Sequence, residues 1–381
     1  MMVRNAIAVT AAAAVLGTTS LPASADITVG VLVGATGPGA SLGIPYKNAF
    51  SILPPTIAGE KVKYVILDDG TDPSAAVKNA RKLITEDKVD VLIGSTSVPT
   101  CTAIVDVARE LKTPQIALSP VAAPPDKLEW TFPVPQPVPV MMEVVVDHMM
   151  AHKVKSAGYI GFSDSWGDLV LKGFQTKAEP AGISLLASER FARADTSVTG
   201  QTLKIIGAHP DAVVVGGSGT PGALPNIALV ERGFKGPIYH NHGVINKDFL
   251  RVGGKAVDHA MAPTGPVMVA EQLPDSNPIK KVALEFTKLY EATYGPGSRN
   301  AFAAYSYDAY LRLAHAVPTA LKKAKPGTPE FRAALRDALE NSKEVIGTHA
   351  VYNTTPADHN GVDKRSRVLV EALNGEWKLV K

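Results

Sequence analysis

One cysteine, Cys101, stands in a chain of 381 residues. A lone thiol makes no internal disulfide, so the fold is not a disulfide-stapled scaffold, and no cysteine cluster is available for a metal. Cys101 reads as a small buried apolar residue on a helix. An excess of one charge is missing as well: 39 Lys and Arg stand against 36 Asp and Glu. Lys61 with Lys63 and Lys153 with Lys155 are scattered pairs, not a basic stripe, which excludes nucleic acid as the expected partner. No segment reaches the roughly 18 uninterrupted apolar residues of a membrane span. No internal repeat is visible.

The beginning of the chain is informative. Arg4 precedes a short apolar run at 6–17, and Ala23-x-Ala25 supplies a small-residue cleavage pattern. That order reads as an export signal, residues 1–25, cleaved after Ala25 to leave Asp26 first and the protein outside the cytoplasm. No cysteine lies nearby to carry a lipid anchor. The remaining length suits two domains better than one core.

Short apolar runs alternate with helical spacing, the pattern of βα repeats and parallel sheets. Strands are expected at 27–33, 62–68, 89–94 and 115–119, with helices at 73–86 and 100–111. Asp72-Pro73 gives a cap and a first-turn proline. Residues 132–139, FPVPQPVP, alternate proline and read as an extended crossing strap. A second series follows at 157–163, 183–191, 211–217 and 237–243. Residues 261–266, MAPTGP, read as a second crossing. Helices are then expected at 278–294, 300–321 and 329–341. In the tail, runs at 368–373 and 377–380 are joined by the turn Asn374-Gly375. The fold class is therefore α/β, two doubly wound Rossmann-like lobes with a ligand cleft at the strand ends between them.

The glycine-rich stretches carry no nucleotide fingerprint. Gly34-x-x-Gly37-x-Gly39 has the wrong order for a dinucleotide loop. The stretch 216–220, GGSGT, is neither a phosphate loop nor a nucleophile elbow. His148 and His152 stand four apart on a helix near its C-terminus, with no third ligand apparent, so no metal is expected. His240 and His242 flank Asn241 at a strand end, where alternation sends both to one side. No motif pairs a nucleophile with a base, and no cofactor is expected.

Six segments together resemble the leucine/isoleucine/valine-binding type of periplasmic solute-binding protein serving ABC importers. They are VGVLVGATGPGASLG, ILDDGTDPSAAVKNARKLITEDKVDVLIGSTS, TPQIALSPVAAPP, GFSDSWGDLVLKGFQTKAEPAGI, DAVVVGGSGTPGALPNIALVERGFKGPI and AYSYDAYLRLAHAV. The resemblance implies a type I periplasmic binding protein with three crossover segments. It places 26–137 and 267–345 in an N-terminal lobe, and 138–266 and 346–381 in a C-terminal lobe. It implies a non-enzymatic, monomeric receptor whose partners are a small-molecule ligand and an inner-membrane ABC permease complex.

The resemblance also names site positions. Ser97, Val98 and Thr100 occupy the helix start that holds a ligand carboxylate in the family. Ala123, preceded by Val121, stands where a threonine is usual. His242 stands where a glutamate normally meets the ligand ammonium, beside Asn241. Trp166 represents the aromatic wall, Leu42 replaces a tyrosine, and Ser218 completes the set. Histidine offers no permanent negative charge to an ammonium. The expected ligand is therefore a small carboxylate with an aromatic body, benzoate- or cinnamate-like. The alternatives are a branched-chain amino-acid-binding protein of the same fold, or an exported two-lobe sensor or hydrolase.

Overall fold

The computed structural model describes residues 26–380, so the expected export signal lies outside the described residues. The strands β1 (Ile27–Val33), β2 (Thr56–Ile57), β3 (Glu60–Asp68), β4 (Val91–Ile93), β5 (Gln115–Ala117) and β6 (Thr131–Pro133) form one sheet, in the order β2-β3-β1-β4-β5-β6. A second sheet begins with β7 (Ser156–Phe162), β8 (Ser184–Phe191), β9 (Ala212–Gly216), β10 (Ile238–His240) and β11 (Met261–Thr264). After a small hairpin, β12 (Val345–Ile346) and β13 (Val351–Tyr352), it is completed by β14 (Val368–Leu373) and β15 (Glu376–Leu379). Its order is β15-β14-β11-β10-β9-β7-β8. From β3 to β6 the first sheet pairs in parallel, as does the second from β8 to β11, with antiparallel strands at one edge of each.

Helices cover the sheets. They are α1 (Ala40–Ala49), α2 (Pro73–Thr85), α3 (Val98–Ala103), α4 (Val105–Glu110), α5 (Val138–Ala151), α6 (Ser165–Ala178), α7 (Thr199–Gly207), α8 (Ala223–Glu231) and α9 (Lys247–Gly253), then α10 (Pro278–Tyr294), α11 (Ala301–Leu321) and α12 (Pro329–Glu340). β1 shows why the sequence reads as a continuous apolar run. Val29, Val31 and Val33 face a core with Phe302 and Leu313 of α11, while Leu32 faces Ala80 and Leu83 of α2. A strand buried on both faces has no solvent side to make polar. Asp72 caps α2 through a 2.7 Å bond from the Ala75 N–H, with Pro73 in the first turn.

Four details differ from the sequence expectation. The helix at 100–111 is two helices, α3 and α4, broken at Ile104, and the first begins at Val98. The proline-rich 132–139 is mostly not a free strap. It starts as edge strand β6, where a missing proline N–H costs nothing, and ends in the first turn of α5. The stretch 261–266 is mainly β11, inside the second sheet, so the crossing begins only after Thr264. Val345, Ala350 and Tyr352 pack into the first core, so the limit expected at 345 falls inside the β12–β13 pairing.

The chain passes between the sheets three times, and the first and third passages are bonded to each other. Gln136 Nε2 donates to Ser366 O at 2.6 Å, and Asn360 Nδ2 to Pro133 O and Pro135 O, both at 2.9 Å. Buried Arg312 donates to Pro133 O and His359 O. The Asp308 carboxylate accepts from the Thr348 and His349 N–H groups and from the Tyr352 hydroxyl. Burial pushes the Asp308 carboxyl up to about 6.

Candidate functional site

Both sheets send their carboxyl-end loops toward one cavity, with about 380 Å³ of atom-free space. On the first-lobe side it is lined by Leu42 and Tyr46 of α1, Thr96 to Val98 after β4, and Leu118 to Pro120 after β5. Pro135 of the first crossing, with Phe302 and Tyr305 of α11, closes one flank. On the second-lobe side stand Trp166 after β7, Arg193 after β8, Ser218 after β9, and His242 with Gly243 after β10. The Thr220 N–H donates to Ser41 Oγ at 3.2 Å, so the lobes touch beside the cavity.

The glycine loop after β1 is a packing device. A Cβ on Gly43 would lie 2.0 Å from Gly34 O, so only glycine lets α1 approach this loop and present Leu42 and Tyr46. The Gly34 N–H donates to Thr96 Oγ1 at 2.9 Å, tying the β1 loop to the β4 loop. Tyr46 donates to Leu118 O at 2.6 Å, which fixes its ring. Ser97 caps α3, and its hydroxyl and the Thr100 hydroxyl lie 2.7 Å apart in a reciprocal box that also takes both residues' N–H groups.

The second-lobe wall is held by side chains bonded to backbone. Asp164 caps α6, accepting from the Trp166 and Gly167 N–H groups. Trp166 Nε1 donates to Gly217 O at 3.2 Å. Arg193 donates from Nε to Asp164 at 2.5 Å and from Nη1 to Ser218 Oγ at 3.1 Å, with its guanidinium 4.3 Å over the Phe162 ring. Asn241 spans the loops after β9 and β10, donating to Val215 O and Gly217 O while accepting from the Gly243 N–H.

His242 is 3 % exposed, and neither ring nitrogen has a hydrogen-bond partner. Burial lowers it to about 4, so it is neutral at neutral pH and offers one donor and one acceptor. A buried polar group without a partner calls for an explanation, and a bound molecule in the cavity supplies one.

Of the expected site residues, Leu42, Ser97, Val98, Trp166, Ser218 and His242 line this cavity. Thr100 and Asn241 stand behind it, fully buried, with their polar groups engaged as above. Val121 and Ala123 are half-buried and do not reach it, because beyond Pro120 the chain heads for a short helical turn at Pro125–Trp130. The aromatic wall is broader than Trp166: Tyr46, Phe302 and Tyr305 join it. The expectation that His240 and His242 share one side fails. The strand ends at His240, which bonds Asn226 and meets Phe249 edge-on, while His242 opens a helical turn at the cavity. His148 and His152 stack at 4.0 Å, with Nδ1 of each engaged by Tyr239 and by His148 O respectively. No group of three or more His, Cys, Asp or Glu among the described residues could hold a metal ion.

Arg193 is the residue that sequence reasoning missed and could have found, since it follows the end of an expected strand. Tyr46, Phe302 and Tyr305 sit on helices whose apolar spacing looks like core, so no local signal marks them.

The profile of the family described as periplasmic binding protein matches residues 26–369. A Leu/Ile/Val-binding protein homologue of Brucella melitensis is 24% identical over 340 residues, covering 86% of this chain and 87% of that protein. An extracellular ligand-binding receptor from Rhodopseudomonas palustris is 47% identical, with a TM-score of 0.92, and the match covers 93% of this chain and 99% of that one. A branched-chain amino acid transporter substrate binding protein from Streptococcus pneumoniae, in complex with isoleucine, shares the fold at 18% identity, with a TM-score of 0.78 over 93% of this chain and 98% of that one. These are binding proteins and not enzymes. With the family profile matched from the first described strand into β14, the chain is a type I member of the periplasmic binding protein family.

Proposed function

We propose that this protein is the solute-binding component of an ABC importer, exported to the periplasm by residues 1–25, and that its solute is a small carboxylate with an aromatic body. The observation that supports this most is the cavity's chemistry. Trp166, Tyr46, Phe302 and Tyr305 supply ring surfaces, and no Asp or Glu is among the described residues that line it. An α-amino acid would bring an ammonium into a low-dielectric space with no anion to meet it, and an unpaired buried charge costs several kcal/mol. A carboxylate meets donors instead. Flat apolar bodies suit aromatic walls, which add offset or edge-on ring contacts to area burial. Closure of the lobes over the solute is the form offered to the permease, and the three crossings are the hinge.

A second reading keeps the fold and takes a branched-chain amino acid. The names of the relatives favour it, as do the aliphatic contributions of Leu42, Val98 and Leu118. It lacks a group to receive the ammonium. A thermal-shift screen of benzoate and cinnamate against leucine, isoleucine and valine separates the two readings. A solute at a hundredfold its dissociation constant adds about 2.7 kcal/mol of stability. The aromatic acids should raise the midpoint and the amino acids should not.

A further inference from the structure

We infer, resting on the reading of the solute as a carboxylate, that its carboxylate is received by the second lobe, at Arg193, Ser218 and His242, and not by the helix start at Ser97. The solute then lies head to the second lobe, the reverse of the arrangement that the resemblance implied.

The first-lobe helix start has little left to give. The Ser97 and Thr100 N–H groups are taken by each other's hydroxyls, and Pro99 has no N–H. Only Val98, at the first helical position, keeps an N–H without an intrahelical acceptor. The helix is six residues long and ends at a break, so its dipole is small.

The opposite wall holds donors without acceptors. Arg193 is pinned by Asp164 through Nε, by Ser218 through Nη1 and by the Phe162 ring beneath it, while Nη2 hydrogen-bonds no described residue. Its side chain is 15 % exposed and lines the cavity. Asp164 neutralises it from behind but does not line the cavity, because its oxygens serve the α6 amides and Arg193 itself. A guanidinium already held in one orientation loses little entropy on binding an anion. Ser218 Oγ accepts from Arg193, which leaves its own O–H to donate. His242 adds a ring N–H with no partner. These groups are contiguous: a Cβ on Gly243 would lie 2.8 Å from Ser218 Cβ and 3.0 Å from Trp166 Cζ2. The first-lobe wall opposite carries Leu42, Tyr46 and Val98 beside the hydroxyl residues Thr96, Ser97 and Ser119, and no cationic side chain.

The test compares benzoate with its neutral isostere benzamide by calorimetry, in the full-length mature protein and in Arg193→Gln, Ser218→Ala and Ser97→Ala. The unchanged protein should prefer the acid at least tenfold, the scale of a charge-assisted hydrogen bond. Arg193→Gln should collapse that preference below threefold, and Ser218→Ala, a smaller change that leaves the fold intact, should reduce it. Ser97→Ala should leave the ratio unchanged. A preference that survives Arg193→Gln and Ser218→Ala but falls in Ser97→Ala overturns the inference and leaves the aromatic-acid reading standing. If the folded unchanged protein binds neither probe but binds leucine, the aromatic-acid reading fails, and this inference with it.

Discussion

Trp166 and His242 meet edge to face, ring centroids 5.4 Å apart and planes at 80°, so the apolar wall of the cavity and its polar corner are one packed unit. The contact holds the His242 ring against the tryptophan in a corner that water barely reaches. It also couples two substitutions that the sequence alone would treat as independent.

Trp166→Ala should weaken binding of an aromatic acid and destabilise the fold together. Beyond the aromatic-wall role that the resemblance implies, the residue is 4 % exposed and belongs to the second-lobe core with Phe162 and Phe174. Urea unfolding should show a loss of about 3–5 kcal/mol, the usual cost of truncating a core aromatic residue. An unchanged midpoint would return Trp166 to the role of a wall alone.

His242→Glu should lower affinity for benzoate or cinnamate by about tenfold or more. The change replaces a neutral donor with a buried carboxylate facing another carboxylate. Calorimetry at neutral pH reads it, and equal affinity in the two proteins would remove His242 from the recognition site.

Stability should fall as pH drops from about 6.5 toward 4. Burial holds His240 and His349 at about 3 and His242 at about 4, all below the ordinary histidine value of 6.5. Between those limits the unfolded chain binds protons that the folded one does not, so stability rises with pH there, by up to about 1.4 kcal/mol per unit for each histidine. Asp308 opposes this, because burial raises it from 3.8 to about 6 and the folded chain keeps its proton longer in that window. Burial raises Asp69 and Asp90 too and lowers His148, so four histidines against three carboxyls leave the slope positive. Thermal midpoints measured across this range in a ligand-free sample would contradict the account if they were flat or rose toward acid.

Gly43→Ala should cost stability and affinity together, since its Cβ would collide with Gly34 O and push α1, which carries Leu42 and Tyr46, away from the β1 loop. Gly200→Ala meets nothing within 4 Å and serves as the control. Equal urea midpoints for the two variants would contradict the packing role given to Gly43.

How much was legible depends on what kind of signal each residue leaves. β1, α10 and the β14–β15 hairpin appear where the residue pattern puts them, because buried parallel strands and amphipathic helices write their period into the sequence. Proline was misleading in 132–139 and 261–266: it excludes interior helix and most central-strand positions but allows edges, first turns and strand positions with no N–H to donate. The break at Ile104 left no glycine or proline to mark it. At the site, the family resemblance reaches Ser97, Trp166, Ser218 and His242, and strand-end position also picks out His242. The resemblance carries Val121 and Ala123 too far along their loop, and it passes over the α1 and α11 aromatics, whose approach to the cavity is a tertiary fact. Asn241 shows the opposite error, a polar residue at a strand end whose amide is spent on holding backbone.

The central claim is that the cavity takes a carboxylate and has no place for an ammonium. Calorimetric titration of the mature, ligand-stripped protein with cinnamate and, separately, with leucine tests it most directly. The account expects saturable one-to-one binding of cinnamate and no measurable heat from leucine at the same concentrations. Micromolar leucine binding with no response to cinnamate or benzoate would contradict it.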